Sequence, residues 1–473
     1  MTRTDWISRG VSLLRPAPGT GAAAQEAQAR STRERLQATL RKKQEALSPR
    51  ALRRTLTELQ AIAEPRLSEV EGGRRARDFS LWYAQAPAEE RRDAWLLASE
   101  QFAPDAAKLK AAREHYEAVQ GTPDEGPAEI RLRKAFISPR TRLLQRFAVF
   151  PEGMRFLVDL RAEIGPHLKA DRRLMPLEAE LEALFSTWFD VAFLELRRID
   201  WDSPASLVEK LIKYEAVHDI RSWADVKNRL DSDRRCYGFF HPSLPHEPLI
   251  FVEVALVHEM AQCITPLLDE AAEAGDVGTA TTAIFYSISN TQAGLRGVSF
   301  GDSLIKRVVE TLKGEFPKLK TFATLSPIPG LRTWLARHAG DMLERMKPKP
   351  RAQLRHALGA EPSAALFLAA LDKPLELQAD SPVRDALLRC AATYLGRETG
   401  DGKPLDPVAR FHLGNGARVE RLNWAGDPSP KGLKQSYGLM VNYLYDLKRL
   451  DKHRAMLAQG QIPISGAIED LYF

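Results

Sequence analysis

The first third of the chain repeats apolar residues at three- and four-residue intervals, with charged residues between them. The segments STRERLQATLRKKQEALSP and SPRALRRTLTELQAIAE show this spacing clearly, which puts the apolar side chains on one helical face. Ser48 and Pro49 are suited to the N-cap and the first turn of a helix. Since β-branched residues seldom cluster before Met175, the pattern predicts an all-helical bundle domain over residues 31–180.

After Pro176 the pattern changes to short runs that favour β-strands. RRCYGFFHP and EPLIFVEVALV are rich in aromatic and β-branched residues, and the short turn SLPH separates them, which is typical of a hairpin. TAIFYSISN and KTFATLSP predict two more strands, DPVARFHLGNG a helix and ARVERLNW a strand, while GLMVNYLYD fits either a strand or a helix. We therefore predict an α+β fold, in which a mixed sheet domain over residues 181–473 carries a helical insertion at about 331–396.

Composition narrows the class of protein. A chain of 473 residues with 44% hydrophobic content and a mean hydropathy of −0.32 is typical of a water-soluble protein of two or three domains. The 68 Lys and Arg residues exceed the 62 Asp and Glu residues by only six, and both signs are interspersed, which is no nucleic-acid signature. No run approaches the ~20 apolar residues that span a bilayer, so we expect neither a nucleic-acid nor a membrane partner.

Cysteine usage and the chain ends bear on location. Cys236, Cys263 and Cys390 form no CxxC pair, so neither a disulfide scaffold nor a cysteine zinc site is expected. The first thirty residues are rich in Arg and poor in acid, as in a transit peptide, but charge and Pro-Ala-Pro-Gly interrupt their apolar run. We predict a disordered leader over residues 1–30. The final residues, DLYF, do not match the peroxisomal SKL signal, and we expect a cytoplasmic protein.

A glycine-bearing turn follows the predicted strand AIFYSIS and precedes the helix DSLIKRVVETL. Free backbone N–H groups at such a turn favour a phosphate group, and Arg296 would add a charge-assisted contact. The segment matches neither GxxxxGK[ST] nor GxGxxG, so spacing alone favours a plain turn. The turn nevertheless resembles the (Gln/Arg)-x-x-Gly-x-(Gly/Ala) loop of Gcn5-related acetyltransferases, with Ser299 in place of the first Gly. In that fold, coenzyme A (CoA) lies between two splayed strands, which here would end near Ser289 and Ser326.

Longer phrases carry a more specific resemblance. RRCYGFFHPSLPHEPLIFVEVALV, AIFYSISNTQAGL, FGDSLIKRVV, LSPIPG, DPVARFHLGNGA and LMVNYLYD occur in one order between Phe185 and Tyr445. Together they resemble the malonyl-CoA decarboxylase family. The resemblance implies a helical domain followed by an acetyltransferase-like domain, and conversion of malonyl-CoA to acetyl-CoA and CO2. It also implies that neither a metal nor a cofactor takes part, since CoA belongs to substrate and product, and that the helical domain forms a homo-oligomer, a dimer or a tetramer.

The resemblance also implies site residues. The catalytic serine of the family's LSPIPG phrase is Ser326 here, and the catalytic histidine of its NPVAxFHLxNGA phrase is His412, both also contacting substrate. The chain departs from the family at Asp406, where that phrase has Asn, and at Ser299, where some relatives carry an acid. The CoA loop of the family corresponds to Arg296, Gly297, Val298, Ser299, Phe300, Gly301 and Asp302.

The chemistry of decarboxylation suits these residue types. Loss of CO2 from a malonyl thioester leaves an enolate, whose oxygen needs hydrogen-bond donors and whose α-carbon needs a proton. An imidazole can deliver that proton near neutral pH, so we assign His412 as the proton donor. The Ser326 hydroxyl can polarise or orient the reacting group. Taken alone, Ser326 could equally cap the helix after Pro327, and His412 could be an ordinary core or surface histidine.

Other polar residues leave alternatives open. Asn442, Tyr443 and Tyr445 could line the thioester pocket or simply pack. The spacing of the histidines near the hairpin, at positions 241, 246 and 258, is not HExxH, and we predict no metal site. Two other functions remain: an acyl-CoA N-acyltransferase of the same fold, and a non-catalytic CoA-binding or interaction protein.

Overall fold

The structure is a computed structural model that describes residues 49–298 and 304–472. It divides into two compact units. The first contains the chain up to Thr187 with the short segment Ala293–Gly297, and the second contains Trp188–Gln292 with Val298–Phe473. The predicted leader over residues 1–30 and the predicted N-cap Ser48 lie outside the described residues. In the described ranges, no helix combines the length and the apolar composition needed to cross a bilayer.

The first unit is helical, as the three- and four-residue spacing predicted. Local capping explains where its helices begin; for example, the Ser68 hydroxyl accepts the Glu71 N–H at 3.2 Å at the start of the second helix. The helices along residues 49–188 are α1 (Pro49–Ala63), α2 (Glu69–Gln85), α3 (Ala88–Glu100), α4 (Ala106–Ala118), α5 (Glu125–Phe136), α6 (Pro139–Phe147), α7 (Gly153–Ile164) and α8 (Met175–Trp188).

A buried arginine binds the short segment Ala293–Gly297 inside the first unit. The Arg161 guanidinium donates to the carbonyl oxygens of Gly294 at 2.7 Å and Arg296 at 3.0 Å. Its charge is balanced by Glu178 at 2.7 Å, as a buried cation requires. A Cβ atom at Gly294 would lie 1.9 Å from the Val158 carbonyl oxygen, so this close approach to α7 requires glycine.

The second unit combines a sheet with helices, as predicted for an α+β domain. Its helices are α9 (Ala205–Tyr214), α10 (Trp223–Arg229), α11 (Thr265–Leu268), α12 (Leu304–Glu315), α13 (Leu331–Glu344), α14 (Pro348–Leu358), α15 (Ala364–Ala370), α16 (Pro382–Gly396), α17 (Pro407–Gly414), α18 (Pro430–Ser436), α19 (Leu450–Ala458) and α20 (Gly466–Glu469). Its strands are β1 (Glu195–Ile199), β2 (Arg234–His241), β3 (Leu244–Val257), β4 (Thr282–Asn290), β5 (Thr321–Thr324), β6 (Ser326–Pro327), β7 (Thr399–Gly400), β8 (Lys403–Pro404), β9 (Arg418–Asn423) and β10 (Met440–Leu444).

Eight of these strands form one sheet in the order β1-β2-β3-β4-β5-β10-β6, with β9 also paired to β10. The β2–β3 hairpin is the one predicted from the sequence. The ambiguous segment GLMVNYLYD forms a strand, β10, because it lies between β9 and the β5–β6 segment and bonds to both. The edge strand β1, whose sequence ELRRI is largely polar, was not predicted.

Strands β4 and β5 pair in parallel, and this pairing is short. It runs from Thr282 opposite Thr321 to Phe285 opposite Thr324, after which β4 continues to Asn290 along β3 alone. A bulge coincides with this point, since Glu253 faces Ser287 while Val254 faces Phe285, which leaves Tyr286 as an extra residue. Bulges twist a strand away from its neighbour. The two strands therefore separate and leave a notch, as the acetyltransferase resemblance predicted.

Candidate active site

The strand that follows the notch presents its polar residues on one face. Side chains alternate along a strand, and Ala323 and Leu325 pack into an apolar cluster with Ile264 on one side of the sheet. Thr324 and Ser326 therefore point to the other side, where the Ser326 hydroxyl donates to Thr324 Oγ1 at 2.8 Å. This places the serine of LSPIPG beside the end of the notch, on the face opposite the cluster.

Helix α17 carries His412, and its first turn is firmly anchored. Asp406 caps the helix by accepting the N–H groups of Val408 and Ala409, each at 2.9 Å. The same carboxylate accepts the Tyr394 hydroxyl at 3.3 Å, and the nearby backbone N–H of Gly330 favours its charged form. Asp406 thus ties the start of α17 to the LSPIPG phrase, which gives the departure from the family's Asn a structural role.

Folding brings Ser326 and His412 together across 86 positions of sequence. Ser326 Oγ lies 3.2 Å from His412 Nε2, and His412 Nδ1 lies 2.7 Å from the Tyr445 hydroxyl. Because Ser326 donates to Thr324, its lone pairs are free to accept an Nε2–H, and Tyr445 then donates to Nδ1. These hydrogen bonds favour the Nε2–H tautomer of a neutral imidazole. The prediction that the hydroxyl and the imidazole meet is confirmed in the geometry, while their catalytic roles stay predictions.

Burial controls the protonation of this histidine. His412 is only 4% exposed, and burial lowers its pKa from 6.5 to about 3, because desolvation disfavours the charged ring. Tyr443 stacks on the imidazole with centroids 4.7 Å apart, and burial also raises the pKa of the Tyr443 and Tyr445 hydroxyls. The ring is therefore neutral and held in one orientation.

The phrase LMVNYLYD divides its polar residues between structural and site roles. Asn442 donates to the carbonyl oxygens of Thr324 at 2.6 Å and Ala261 at 3.0 Å, so it holds the strands together. Tyr443 and Tyr445 instead contact His412. Thr324 was missed in the sequence. Its spacing of two from Ser326 in a predicted strand was the available signal, since such residues share a face.

The predicted CoA loop is only partly described. Arg296 and Gly297 belong to the first unit, where both are exposed, and Val298 is buried in the second unit. Gly297 has φ of +81°, a conformation that favours glycine. The remaining predicted residues, Ser299, Phe300, Gly301 and Asp302, lie outside the described residues.

The described part of the chain contains no group of three or more His, Cys, Asp or Glu side chains arranged to hold a metal ion. The histidines near the hairpin have other neighbours: His241 Nδ1 accepts the Ser243 N–H at 3.1 Å, and the His258 ring lies 3.3 Å from the Thr279 hydroxyl.

Comparison with known proteins agrees with the resemblance seen in the phrases. A model of the malonyl-CoA decarboxylase C-terminal domain matches residues 192–472, and a model of the N-terminal domain of that family matches residues 102–189. The mitochondrial malonyl-CoA decarboxylase of Anser anser anser is 38% identical over 407 residues, covering 79% of this chain and 78% of that protein. The Mus musculus protein of the same name is 38% identical over 344 residues, covering 68% of each chain.

Solved structures agree as well. The crystal structure of malonyl-CoA decarboxylase from Rhodopseudomonas palustris is similar with a TM-score of 0.76 and 40% identity, covering 89% of this chain and 99% of that one. The enzyme from Agrobacterium vitis gives a TM-score of 0.77 and 39% identity, covering 89% and 100%. The family models together match more than half of the chain and the relatives exceed 30% identity over more than two thirds of it, so the chain belongs to the malonyl-CoA decarboxylase family.

Proposed function

We propose that this protein is a malonyl-CoA decarboxylase, a carboxy-lyase that converts malonyl-CoA to acetyl-CoA and CO2. The names of its relatives support this activity. The observation that carries the proposal is the 3.2 Å contact between Ser326 Oγ and His412 Nε2, buried beside the notch that separates β4 from β5. It joins a hydrogen-bond donor and a proton carrier at one point, which decarboxylation of a thioester requires.

The reaction balances with one proton. The bond between the α-carbon and the carboxylate breaks, CO2 leaves, and the electron pair moves into the thioester carbonyl as an enolate. The pair then returns to the α-carbon, which takes a proton to give the acetyl group. A hydroxyl such as that of Ser326 can donate to the enolate oxygen or orient the leaving carboxylate, while His412 Nε2 delivers the proton.

Because its pKa is low, His412 acquires the extra proton for this role only when substrate is bound. Without a charged neighbour the imidazole is neutral, because burial lowers its pKa to about 3. A malonyl carboxylate beside the ring would raise that pKa, since an opposite charge in a desolvated site favours the imidazolium. Substrate binding would thus protonate the imidazole, and this proton is the one that the α-carbon later receives.

We also propose that Arg296 contacts a phosphate group of the CoA ester, as part of the CoA-binding segment predicted over residues 296–302. Arg296→Ala should then raise KM by ~5–150-fold, corresponding to ~1–3 kcal/mol of a charge-assisted contact, with little change in kcat. Arg131→Ala, at an exposed arginine of α5, is the matched control and should leave KM unchanged. An unaltered KM in Arg296→Ala would remove that side chain from the phosphate contact.

The activity itself is tested with the purified full chain. Incubation with malonyl-CoA should release acetyl-CoA and CO2 in equal amounts, with no added cofactor and also in the presence of a metal chelator. Consumption of the thioester only when an amine acceptor is added would point instead to an acyltransferase. Saturable CoA binding without turnover would point to a non-catalytic binding protein.

We propose a homo-oligomer, a dimer or a tetramer, formed through the helical domain of residues 31–180, and a cytoplasmic location. Sedimentation of the full chain and of a chain that begins near residue 181 tests the first, and fractionation of the source cells tests the second.

A further inference from the structure

A cavity lies in the sheet domain, on the face opposite Ser326. Ile264 and Leu268 form part of its wall, and both pack with the cluster that contains Ala323 and Leu325. Because side chains alternate along a strand, the sheet itself separates this cavity from the hydroxyl of Ser326. The cavity measures about 850 Å³, which is within the range of small-molecule sites. Nothing in the proposed decarboxylation uses it.

Most cations around the cavity are already neutralised by protein groups. Arg229 forms ion pairs with Asp225 at 2.7 Å and with Glu253 at 2.8 Å. The Lys431 ammonium donates to the carbonyl oxygens of residues 216 and 217 at 3.0 and 2.8 Å, and it lies 3.6 Å from Asp219. These two cations are therefore not available to an anionic ligand.

The carboxylates of the lining are less completely paired. Asp269, Glu270 and Asp427 line the cavity, and within the described ranges no cation forms an ion pair with any of them. Two of these carboxylates have uncharged hydrogen-bond donors in place of a cation. Asp269 accepts the Ala271 N–H at 3.0 Å, and Glu270 accepts the Ser222 hydroxyl at 3.0 Å. Arg221 is the one cation of the lining that no described carboxylate pairs with. The cavity consequently has an excess of negative charge.

Asp427 is the most informative of these carboxylates, because it is only 5% exposed. Its Oδ1 accepts the Ser429 N–H at 3.0 Å, and no hydrogen bond from the described part of the chain reaches Oδ2. Buried carboxylates in folded proteins are usually paired with a cation. Asp427 has no such cation among the described residues, and the cavity that it lines is large enough to admit a cationic ligand.

Among the described residues, His218 is a further polar side chain with an unpaired atom at the cavity. The side chain lines the same cavity and is 8% exposed, and its Nε2 has no hydrogen-bond partner among the described residues. Its backbone is fixed, since the N–H donates to Glu215 at 2.8 Å and the carbonyl oxygen accepts from Arg229 at 2.9 Å. Burial lowers the pKa of the ring to about 4, so a neutral imidazole is available to accept or donate a hydrogen bond.

We propose that this cavity binds a small alkylammonium ligand, with the Asp427 carboxylate as the counter-ion and the His218 imidazole as a hydrogen-bond partner. Ile264, Leu268 and Pro430 supply apolar contact for the alkyl chain. Asp269 and Glu270 are placed to attract a second ammonium group, so a diamine fits better than a monoamine. The carboxylates disfavour a CoA ester here, because its phosphates carry like charge. The site is thus distinct from that of the proposed substrate.

Calorimetric titration of the full chain with putrescine tests the proposal. Butanediol, which has the same chain length but no charge, serves as the ligand control. We expect saturable binding of putrescine, none of butanediol, and no displacement of putrescine by CoA. Absence of saturable putrescine binding would overturn the proposal, and so would displacement by CoA.

Matched variants locate the site. Asp427→Asn keeps the shape of the side chain and should weaken putrescine binding by about tenfold or more, because the ammonium then loses its counter-ion. Asp380→Asn, an exposed aspartate outside the cavity lining, should bind as the unaltered chain does. If Asp427→Asn fails to fold, Glu270→Gln gives the answer, with an expected weakening of about threefold. Equal affinity in the folded Asp427→Asn or, in its absence, in Glu270→Gln would refute the assignment.

Discussion

His412 and His218 are buried on opposite faces of the sheet, and the two rings differ in what they contact. His412 and His218 are 4% and 8% exposed, and burial lowers their pKa values to about 3 and about 4. Both nitrogens of His412 are engaged, by Ser326 and Tyr445, whereas Nε2 of His218 has no partner in the described structure. The burial and the pKa of the two rings are therefore too similar to distinguish the two sites, whereas their hydrogen-bond partners differ.

The surrounding charges do separate them. The pKa of His412 responds to burial alone, while the pKa of His218 is also raised by Asp427 and lowered by Arg229 and Lys431. A ring in an uncharged, hydrogen-bonded setting can change its protonation when a charged substrate arrives. A ring that lies among fixed charges is better suited to recognising a ligand. The comparison can be tested with four measurements.

Removal of the His412 imidazole should have the largest effect. His412→Asn should lower kcat for malonyl-CoA decarboxylation by ~10²–10⁴-fold, the usual contribution of a positioned proton donor. KM should change little, since the contacts with the nucleotide part of the ester remain. Steady-state kinetics measures both values, with His356→Asn, at an exposed histidine of α14, as control. Retained turnover in His412→Asn would eliminate the proton-donor role.

Acid stability should depend on both histidines. An unfolded histidine protonates near 6.5, whereas His412 and His218 do so near 3 and 4 in the folded protein. Between these values the unfolded chain binds more protons, so stability is complete above about pH 6.5 and falls as the pH decreases. At about pH 5 each histidine should lower the free energy of unfolding by ~2 kcal/mol relative to neutral pH.

Urea denaturation at about pH 7.5 and about pH 5 measures this loss. His412→Gln and His218→Gln should each reduce the difference between the two pH values by ~2 kcal/mol, because glutamine does not titrate. An unchanged difference in either variant would mean that the ring concerned is charged in the folded protein.

Loss of the Tyr445 hydroxyl should have a moderate effect on chemistry. Tyr445→Phe removes the 2.7 Å contact with His412 Nδ1, so kcat should fall by about tenfold, the value of one hydrogen bond. KM should stay unchanged. The acidic limb of the pH–kcat profile should shift, and a purely structural role of Tyr445 would not cause this shift. Tyr214→Phe removes a hydroxyl contact with Glu247 and is the matched control. An unchanged pH–kcat profile in Tyr445→Phe would leave Tyr445 with a packing role only.

Loss of the Thr324 hydroxyl should have the smallest catalytic effect. Thr324→Val deletes the acceptor of the Ser326 hydroxyl and of the Tyr443 N–H, at 2.8 and 3.1 Å. Stability should fall by ~1–3 kcal/mol because a buried N–H is left unpaired, and kcat should fall by about threefold as Ser326 loses its orientation. Thermal unfolding and kinetics measure the two changes, with Thr311→Val on the exposed side of α12 as control. Full activity would show that Thr324 does not orient the serine.

Local pattern predicted much of the fold but not its irregular points. The helical spacing, the β2–β3 hairpin and the helix DPVARFHLGNG follow from periods of 3.6 and 2. The strand β1 was missed because ELRRI is mostly polar, and GLMVNYLYD stayed ambiguous until β9 and β5 supplied its pairing partners. The bulge at Tyr286 has no local signal, since it depends on the register between β3 and β4.

The sequence by itself determined the family, through ordered phrases, and named Ser326 and His412 as the pair to examine. Only the tertiary structure decided that the two meet at 3.2 Å, that Thr324 and Tyr445 complete their hydrogen bonds, and that His218 and Asp427 border a cavity on the other face. The physical reason is that hydrogen bonding and desolvation act over a few ångströms in space. The residues that they join are distant in the chain, and no local period encodes the distance between them.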